Sequence, residues 1–371
     1  MVDLHRTVLC KGSPRGSVVD RANGEAVVVF RLGSIGDTVN SLPCFHQIVR
    51  AFPQSKRVLL TNVPVSSLAA PAETVLRDGG FVHDAIDYSI GLRGPARLLE
   101  LRRRLRALDS RVLVYLTERG ALAAWRDLLF FRLCGFTRVI GAPLVPGRAN
   151  GRRDRRSGEV EREIERLARC LCGLGPIDVR DPANWDLKLT PGEQSDAEAV
   201  IAPLNGRPFF AINTGGKVQV KDWGEDNWAS LLGRLSHALS DHSLVVVGAA
   251  EDSERARRLA AHWRGAWLDL CGKCSPRQSA AVLAKAALFV GHDSGPLHLA
   301  AAVGLTCVAL FGGYNRPRKW HPVGDHHRII HNMAGVQAIS PDEVLEVVLA
   351  AQAQEERRAL NPPPAPPPTA P

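Results

Sequence analysis

Apolar runs recur along this chain, each ending in a polar turn and followed by a segment whose apolar positions fall three and four residues apart. Residues 26–30, 57–61, 111–116 and 138–140 read as buried strands, with helices over 42–52, 97–108 and 121–134 between them. A second series of strands runs through 208–213, 244–247, 268–270, 287–290 and 307–311. Such alternation predicts parallel sheets covered by helices on both faces, so the fold class is α/β with two doubly wound units. Over 97–108 the spacing of Leu98, Leu99, Leu101 and Leu105 among arginines predicts an apolar inner side and a solvated charged one.

Between the two series a helix is expected near 158–173, followed by a polar, Pro-containing stretch from Asp178 to Gln194 that reads as an interdomain connection. The chain divides accordingly into a flexible leader (1–24), an N-terminal domain (25–180), a connection (181–200), a C-terminal domain (201–345) and a final segment (346–371). A last helix fits 342–349, and after Asn361 the Pro/Ala-rich tail has nothing with which to bury a core, so disorder is expected there.

With 371 residues and 45% hydrophobic content there is material for two packed cores. No apolar run reaches the eighteen or so residues of a membrane span, and the first 24 residues lack the apolar stretch of a signal peptide, so a cytoplasmic protein is expected. Eight scattered cysteines in apolar surroundings read as reduced thiols. Cys271 and Cys274 have CxxC spacing, but no second ligand pair or thioredoxin-like context accompanies them.

The net charge of +9 comes from 47 Lys+Arg against 38 Asp+Glu and is concentrated in the N-terminal half, in the runs 93–111 and 148–156. The first run reads as a solvated helix face. The second has no apolar side and is expected as a loop, either simply solvated or meeting an anionic partner through arginine forks. Nucleic acid is disfavoured, since no recognised motif accompanies the charge and only 6% of residues are aromatic.

Two turns carry candidate chemistry. The strand at 287–290 runs into His292-Asp293-Ser294-Gly295 and restarts as a helix at Pro296, an arrangement whose orphan backbone N–H groups favour an anion, with Ser294 placed to cap the helix and to donate to a phosphate. The strand at 27–30 similarly runs into Arg31-Leu32-Gly33-Ser34-Ile35-Gly36-Asp37-Thr38. There Asp37 reads either as the N-cap of the following helix or as a base facing the crevice at the strand ends. Neither turn spells G-x-G-x-x-G, which argues against a dinucleotide oxidoreductase. No Asp-x-Asp pair occurs to clamp a metal on a diphosphate, and His321, His326, His327 and His331 lack metal-ligand spacing.

Residues 31–43 (RLGSIGDTVNSLP), Lys221-Asp222-Trp223 with Trp228, and residues 293–302 (DSGPLHLAAA) together resemble glycosyltransferase family 9, the family of the ADP-heptose:lipopolysaccharide heptosyltransferases, over roughly residues 25–345. The resemblance implies the GT-B architecture, two Rossmann-like domains facing a central cleft. It implies a metal-independent inverting transfer with no cofactor, most simply of heptose from ADP-heptose to a lipopolysaccharide-core or other envelope saccharide. Another nucleotide-sugar, or a non-catalytic sugar-nucleotide-binding protein, remains the alternative.

By the same resemblance Asp37 takes a proton from the acceptor hydroxyl and Lys221 offsets charge on the leaving diphosphate. Donor binding falls to Thr214, Lys217, Asp252, Cys274, Asp293, Ser294, Gly295 and His298, and acceptor binding to Ser34 and Arg119. Asp252, with Glu251 as fallback, would meet the ribose, Cys274 would pack near the base and Asp293 would reach the donor sugar. His298 otherwise reads as a core histidine. The implied partners are the nucleotide-sugar donor and an anionic glycolipid or saccharide acceptor, with the basic N-terminal domain in peripheral contact with the inner membrane surface. Departures from the family wording include Gly33, Ile35, Gly216, Lys217, Gly224, the stretch 312–316 and the loop through Trp320.

Overall fold

Two parallel sheets organise the chain in a computed structural model that describes residues 25–63, 71–89, 94–154, 158–216 and 218–360. The leader 1–24, Lys217, Arg155 and Arg156 of the second basic run and the tail 361–371 lie outside the described residues. The first sheet comprises β1 (Val27–Phe30), β2 (Arg57–Asn62), β3 (Asp84–Tyr88), β4 (Val112–Tyr115) and β5 (Arg138–Ile140), in the order β3-β2-β1-β4-β5. The second comprises β6 (Phe209–Asn213), β7 (Ser243–Val246), β8 (Trp267–Asp269), β9 (Leu288–His292), β10 (Cys307–Gly312) and β11 (Arg328–Asn332), in the order β11-β10-β9-β6-β7-β8. In each sheet the strand order reverses beside its first strand, between β1 and β4 and between β6 and β9, which leaves a crevice at the strand carboxyl ends.

Alternation along β1 splits its side chains between two layers. Val27 and Val29 pack with Phe45 and Ile48 of helix Leu42–Ala51 and with Ile164 and Leu167 of helix Glu163–Cys170. Val28 and Phe30 pack on the opposite face with Leu101, Leu105 and Phe131 of helices Pro95–Arg106 and Ala121–Leu133. The apolar cluster that holds Val27 and Val29 continues to Phe209 and Ala211 of β6, so the two sheets share a core through their facing layers.

Two strands escape the apolar pattern. β3 (DAIDY) and β11 (RIIHN) are edge strands that fully bury only Ile86 and Ile330, so polar residues occupy most of their positions. Leu98 and Leu99 correct the expected inner side of their helix: Leu101 and Leu105 alone reach the core, and the other two leucines are exposed. In the second basic run, Arg148 belongs to the one-turn helix Pro146–Ala149, and Arg153 bridges to Val160.

Residues 181–200 contain the turn Pro182–Asn184 and most of helix Pro191–Ile201, whose Glu193 pairs with Arg277 of helix Pro276–Leu283. Thr190 caps the former helix and Pro191 occupies its first turn, which explains why a polar segment becomes helical. A second tie between the two halves runs through the loop after β10: the Glu163 N–H donates to the Lys319 carbonyl at 2.9 Å, Arg318 pairs with Glu159 at 2.7 Å and Lys319 with Glu118 at 2.5 Å. The last helix spans Pro341–Leu360, well past residue 349, because Val348 and Ala351 stay buried with Leu231 and Leu235 of helix Glu225–Ala238. No described helix is long and apolar enough to cross a membrane.

Candidate active site

β9 ends at His292, and the next residue, Asp293, collects three partners. Its Oδ2 lies 2.5 Å from the Lys221 ammonium and also accepts from the Asn315 amide, while Oδ1 lies 3.5 Å from His298 Nε2. Burial alone would raise the Asp293 pKa, but the His298 contact and the Lys221 charge reverse that effect and hold the carboxyl well below the usual carboxylate range. Lys221 also sits 5.0 Å from the ring centre of Tyr314. The Ser294 backbone is extended and its hydroxyl donates to Asn213 Oδ1 at 2.7 Å. The expected helix cap is therefore not made; the hydroxyl ties the turn after β9 to the end of the neighbouring β6.

Thr214 follows β6 and is fully buried, with Oγ1 lacking a hydrogen-bond partner among the described residues. Both ring nitrogens of buried His292 are likewise unpartnered, and a Cβ on Gly216 would come 3.3 Å from His292 Nε2. Burial pushes the His292 pKa down from 6.5 to about 4. Between those values the unfolded chain takes up a proton that the folded protein refuses, so stability is expected to fall as pH drops through this window and to level off below it. The full loss from this side chain is roughly 3 kcal/mol. Urea unfolding midpoints measured at successive pH values check it, and His292→Gln should flatten the slope.

Within Lys221-Asp222-Trp223 only the lysine faces Asp293. Trp223 is fully buried, donates from Nε1 to the Ile339 carbonyl at 2.9 Å and packs edge-to-face on Trp228 at 4.9 Å. Asp222 takes a two-pronged ion pair from Arg255 at 2.6 and 2.9 Å. Those two residues anchor the short turn Gln219–Lys221 that presents Lys221.

Asp252 accepts from the Ala249 N–H at 2.8 Å and lies so close to the loop after β6 that a Cβ on Gly215 would meet its carboxylate at 1.8 Å. Burial raises its pKa. Glu251 beside it is exposed. Cys274 is a half-buried free thiol in the turn after β8. That turn is drawn against the one after β7, since a Cβ on Gly272 would come 2.6 Å from Ala250 Cα.

On the facing unit, Gly33 adopts φ +117°, which lets the turn after β1 fold over Asp37. Asp37 is not the N-cap: Ser34 holds that position for helix Ile35–Val39, and the Asp37 carboxylate reaches back to accept from the Ser34 N–H at 2.6 Å and the Ser34 hydroxyl at 2.8 Å. Buried Arg31 donates to the Leu116 carbonyl at 3.1 Å and to the Asp37 carbonyl, pinning this turn to the end of β4. Arg119, which follows β4, pairs with Asp127 of helix Ala121–Leu133 at 3.4 Å.

The two turns meet at Gly36. A Cβ there would lie 2.9 Å from His298 Cδ2 and 3.6 Å from Gly295 Cα, so helix Ile35–Val39 rests directly on the N-terminal end of helix Gly295–Ala302. His298 thus touches Asp293 on one side and the Asp37 turn on the other. Lys217 lies outside the described residues. Sequence reasoning placed His292 in its turn without giving it a role, and did not single out Asn213, Tyr314 or Asn315. The only signal for the last two was the departure of 312–316 from family wording.

A cavity of about 750 Å³ opens at the other end of helix Gly295–Ala302, among Arg162, Trp185, Lys188, Val303 and His326. None of the residues above lines it. The strand carboxyl ends, where a doubly wound sheet places its ligands, lie with the Asp37 and Asp293 turns.

The sequence profile described as glycosyltransferase family 9 (heptosyltransferase) matches residues 151–341, more than half of the chain. The chain belongs to this family. Lipopolysaccharide heptosyltransferase 2 of Escherichia coli (strain K12) is 26% identical over 206 residues, covering 48% of this chain and 57% of that protein. The chain matches about half the length of the curated heptosyltransferases. Among solved structures, the family 9 glycosyl transferase of Veillonella parvula DSM 2008 superposes with a TM-score of 0.67 at 17% identity, covering 89% of this chain and 98% of that one. The E. coli ADP-heptose lps heptosyltransferase II gives 0.64 at 21% identity, covering 89% and 99%. This family 9 member has their GT-B architecture, with two Rossmann-like units facing one another.

Proposed function

We propose that this family 9 protein is a metal-independent, inverting glycosyltransferase. Its donor is a nucleotide-diphospho-sugar, ADP-heptose being the one named by the family's relatives, and its acceptor a lipopolysaccharide-core or other envelope saccharide. The observation that carries the reading is the pairing of Lys221 and His298 on Asp293, directly against the turn that holds Asp37.

In this reading the acceptor hydroxyl oxygen attacks the anomeric carbon and its proton passes to Asp37. The bond from that carbon to the phosphate oxygen breaks on the opposite face, and the nucleoside diphosphate departs with the electron pair. Lys221 has three donors and commits one to Asp293, so others can meet phosphate oxygens. The N–H groups at Ser294 and Gly295, the unpartnered Thr214 hydroxyl and Lys217 supply the remaining anion contacts. Asp293 orients the donor sugar, Asp252 meets the ribose and Cys274 borders the base, while Ser34 and Arg119 face the acceptor. Asp252 takes the Ala249 N–H on Oδ2 and keeps further acceptor sites for a ribose hydroxyl, with exposed Glu251 beside it as the competitor.

The test is product analysis by mass spectrometry with a panel of ADP-, GDP- and UDP-sugars and a saccharide acceptor. A protein that binds a nucleotide-sugar tightly but releases no nucleotide over many hours is a binding protein, and the catalytic reading fails. Calorimetry on full-length Lys221→Ala is expected to show ADP binding weakened by roughly 1.5 to 3 kcal/mol, the scale of one charge-assisted contact. Undiminished affinity in the folded variant would remove Lys221 from the site. Because the chain offers no Asp-x-Asp pair and the cationic partners are Lys221 and a helix N-terminus, turnover is expected to survive excess EDTA. Loss on chelation with recovery on Mg²⁺ or Mn²⁺ would overturn metal independence.

A further inference from the structure

The cavity of about 750 Å³ at the far end of helix Gly295–Ala302 has no part in the transferase reading, yet its size is that of a ligand-holding cleft. Three stretches of chain enclose it: Arg162 of the first unit, residues between 180 and 194 around the connection, and 301–304 with 323–326 of the second unit. Trp185, Val303 and Val323 supply apolar surface. The Trp185 indole N–H is already held by the Val179 carbonyl at 2.9 Å, so its ring is left for packing. Arg162 Nε and His326 Nε2 are buried without a partner among the described residues, and Arg180 and Lys188 stand on the exposed rim.

The lining does not call for an anion. Asp186 and Asp325 offset two of its three cations, and helix Gly295–Ala302 turns its carbonyl end, the negative one, toward the cavity. What it asks of an occupant is hydrogen-bond acceptors for the guanidinium and ammonium groups and apolar rings to cover Trp185.

Residues 361–371, outside the described residues, offer both. They read NPPPAPPPTAP, seven prolines in eleven positions with no charged side chain. Proline has no backbone N–H, so such a stretch is rich in acceptors and poor in donors, and polyproline II leaves its carbonyls out of internal hydrogen bonds. Proline-rich segments dock in aromatic-lined grooves by this chemistry. The described chain also ends in the right place, since the last helix closes at Leu360 with its final turns beside the cavity. There the Thr306 hydroxyl donates to Glu355 at 2.8 Å and Arg328 donates to Gln354. Burial lowers the pKa of His326, which lines the cavity, and the charge of nearby Arg358 adds to that effect. Eleven residues in polyproline II reach roughly 30 Å, so a cavity that begins at His326 lies within their span.

We propose that residues 361–371 dock in this cavity of their own chain, with proline rings on Trp185, Val303 and Val323 and carbonyls accepting from Arg162, Arg180 and Lys188. Docked there, the tail straps the end of the second unit to the connection and to Arg162 of the first. The inference goes beyond the transferase reading and does not depend on it.

The experiment is calorimetry with a synthetic peptide of residues 359–371, titrated into the full-length protein and into a variant that stops at Leu360. The peptide is expected to bind the shortened protein and to bind the full-length one about tenfold more weakly, because the attached tail competes at the millimolar effective concentration of a short tether. A peptide carrying Pro363→Ser, Pro364→Ser, Pro366→Ser and Pro367→Ser should bind neither, which tests the proline requirement on an unaltered protein. In the shortened protein Trp185→Ala should weaken the natural peptide by more than about tenfold, the scale of one large apolar contact. Arg180→Ala, at an exposed position, should weaken it roughly fivefold, the scale of one hydrogen bond, and keeps the test decisive if Trp185→Ala fails to fold. Equal affinity for the two proteins, no binding to the shortened one, or a peptide indifferent to the cavity variants that fold would overturn the proposal. Sedimentation velocity covers the other occupant: a full-length dimer that the shortened protein does not form would put the tail in a second copy's cavity and overturn docking within one chain. No arm reads sugar transfer, so the transferase reading stands or fails separately.

Discussion

Arg277→Ala is expected to cost on the order of 3–5 kcal/mol of stability, the usual penalty for breaking a buried ion pair by removing one partner. Arg277 is 1% exposed, although it belongs to a residue type almost always found at the surface. Its guanidinium meets Glu193 at 2.6 and 2.8 Å, the Val75 carbonyl at 3.0 Å, and the Leu187 and Lys188 carbonyls at 2.9 Å each. Those partners belong to the first unit, the connection and the helix that follows it, so one planar fork ties three segments together. Truncation leaves the Glu193 carboxylate without its cation, held only by the Thr190 N–H and hydroxyl, and takes this donor from three carbonyls.

Burial would raise the Glu193 pKa, but hydrogen bonds from Arg277 and the Thr190 backbone lower it below the ordinary value. That coupling stabilises the fold above the ordinary carboxylate range and is lost as pH falls through the depressed folded value. In Arg277→Ala this acid-sensitive share should shrink to what the Thr190 hydrogen bonds supply, along with the loss of stability itself. Differential scanning calorimetry at neutral and mildly acidic pH reads both effects, and Arg277→Lys, which keeps the charge without the fork, should fall between the two. A variant melting within a degree or two of the parent would show that the shared apolar core alone holds the units together.

The importance of Arg277 is not legible from its local sequence, where Ser275-Pro276-Arg277-Gln278 reads as an ordinary helix start. Its partners stand 84 to 202 positions away, and nothing in the periodicity of either segment records that separation. Central strands were legible because both faces are buried and the whole run is apolar, as in VVVF of β1. Edge strands β3 and β11 were not, since each buries only one apolar residue, Ile86 and Ile330, among partly covered polar positions. Leu98 and Leu99 misled for a related reason: helical spacing shows which side is apolar, but not that a helix can leave part of that side uncovered. The candidate site shows the same division. Turn chemistry made Asp37, Asp293 and Ser294 visible, whereas the contact of His298 with Gly36 and the Asn315 bond to Asp293 depend on how two sheets and a distant loop come together.

Asp37→Asn is expected to lower turnover by on the order of 10² to 10⁴ while leaving the fold and donor affinity nearly unchanged. The carboxylate is held by the Ser34 N–H and hydroxyl, and its backbone carbonyl by Arg31. An asparagine oxygen can accept the same Ser34 bonds, so the turn should survive with the loss of one charge-assisted increment, about 1 kcal/mol. What the amide cannot do is take the acceptor's proton. The proposed donor contacts reside on the other unit, at Lys221, Asp293 and the helix N-terminus, so ADP affinity should stay within about twofold, well under the roughly 1 kcal/mol of one hydrogen bond. The rate of nucleotide release with acceptor present, measured beside thermal melting and ADP calorimetry, separates the cases. Near-normal turnover would reduce Asp37 to the residue that closes the turn after β1. Asp37→Ala supplies the control for structure: it removes the Ser34 bonds as well, so a melting loss in Ala that is absent in Asn isolates the cap from the chemistry, and a collapse of turnover common to both assigns the proton acceptor.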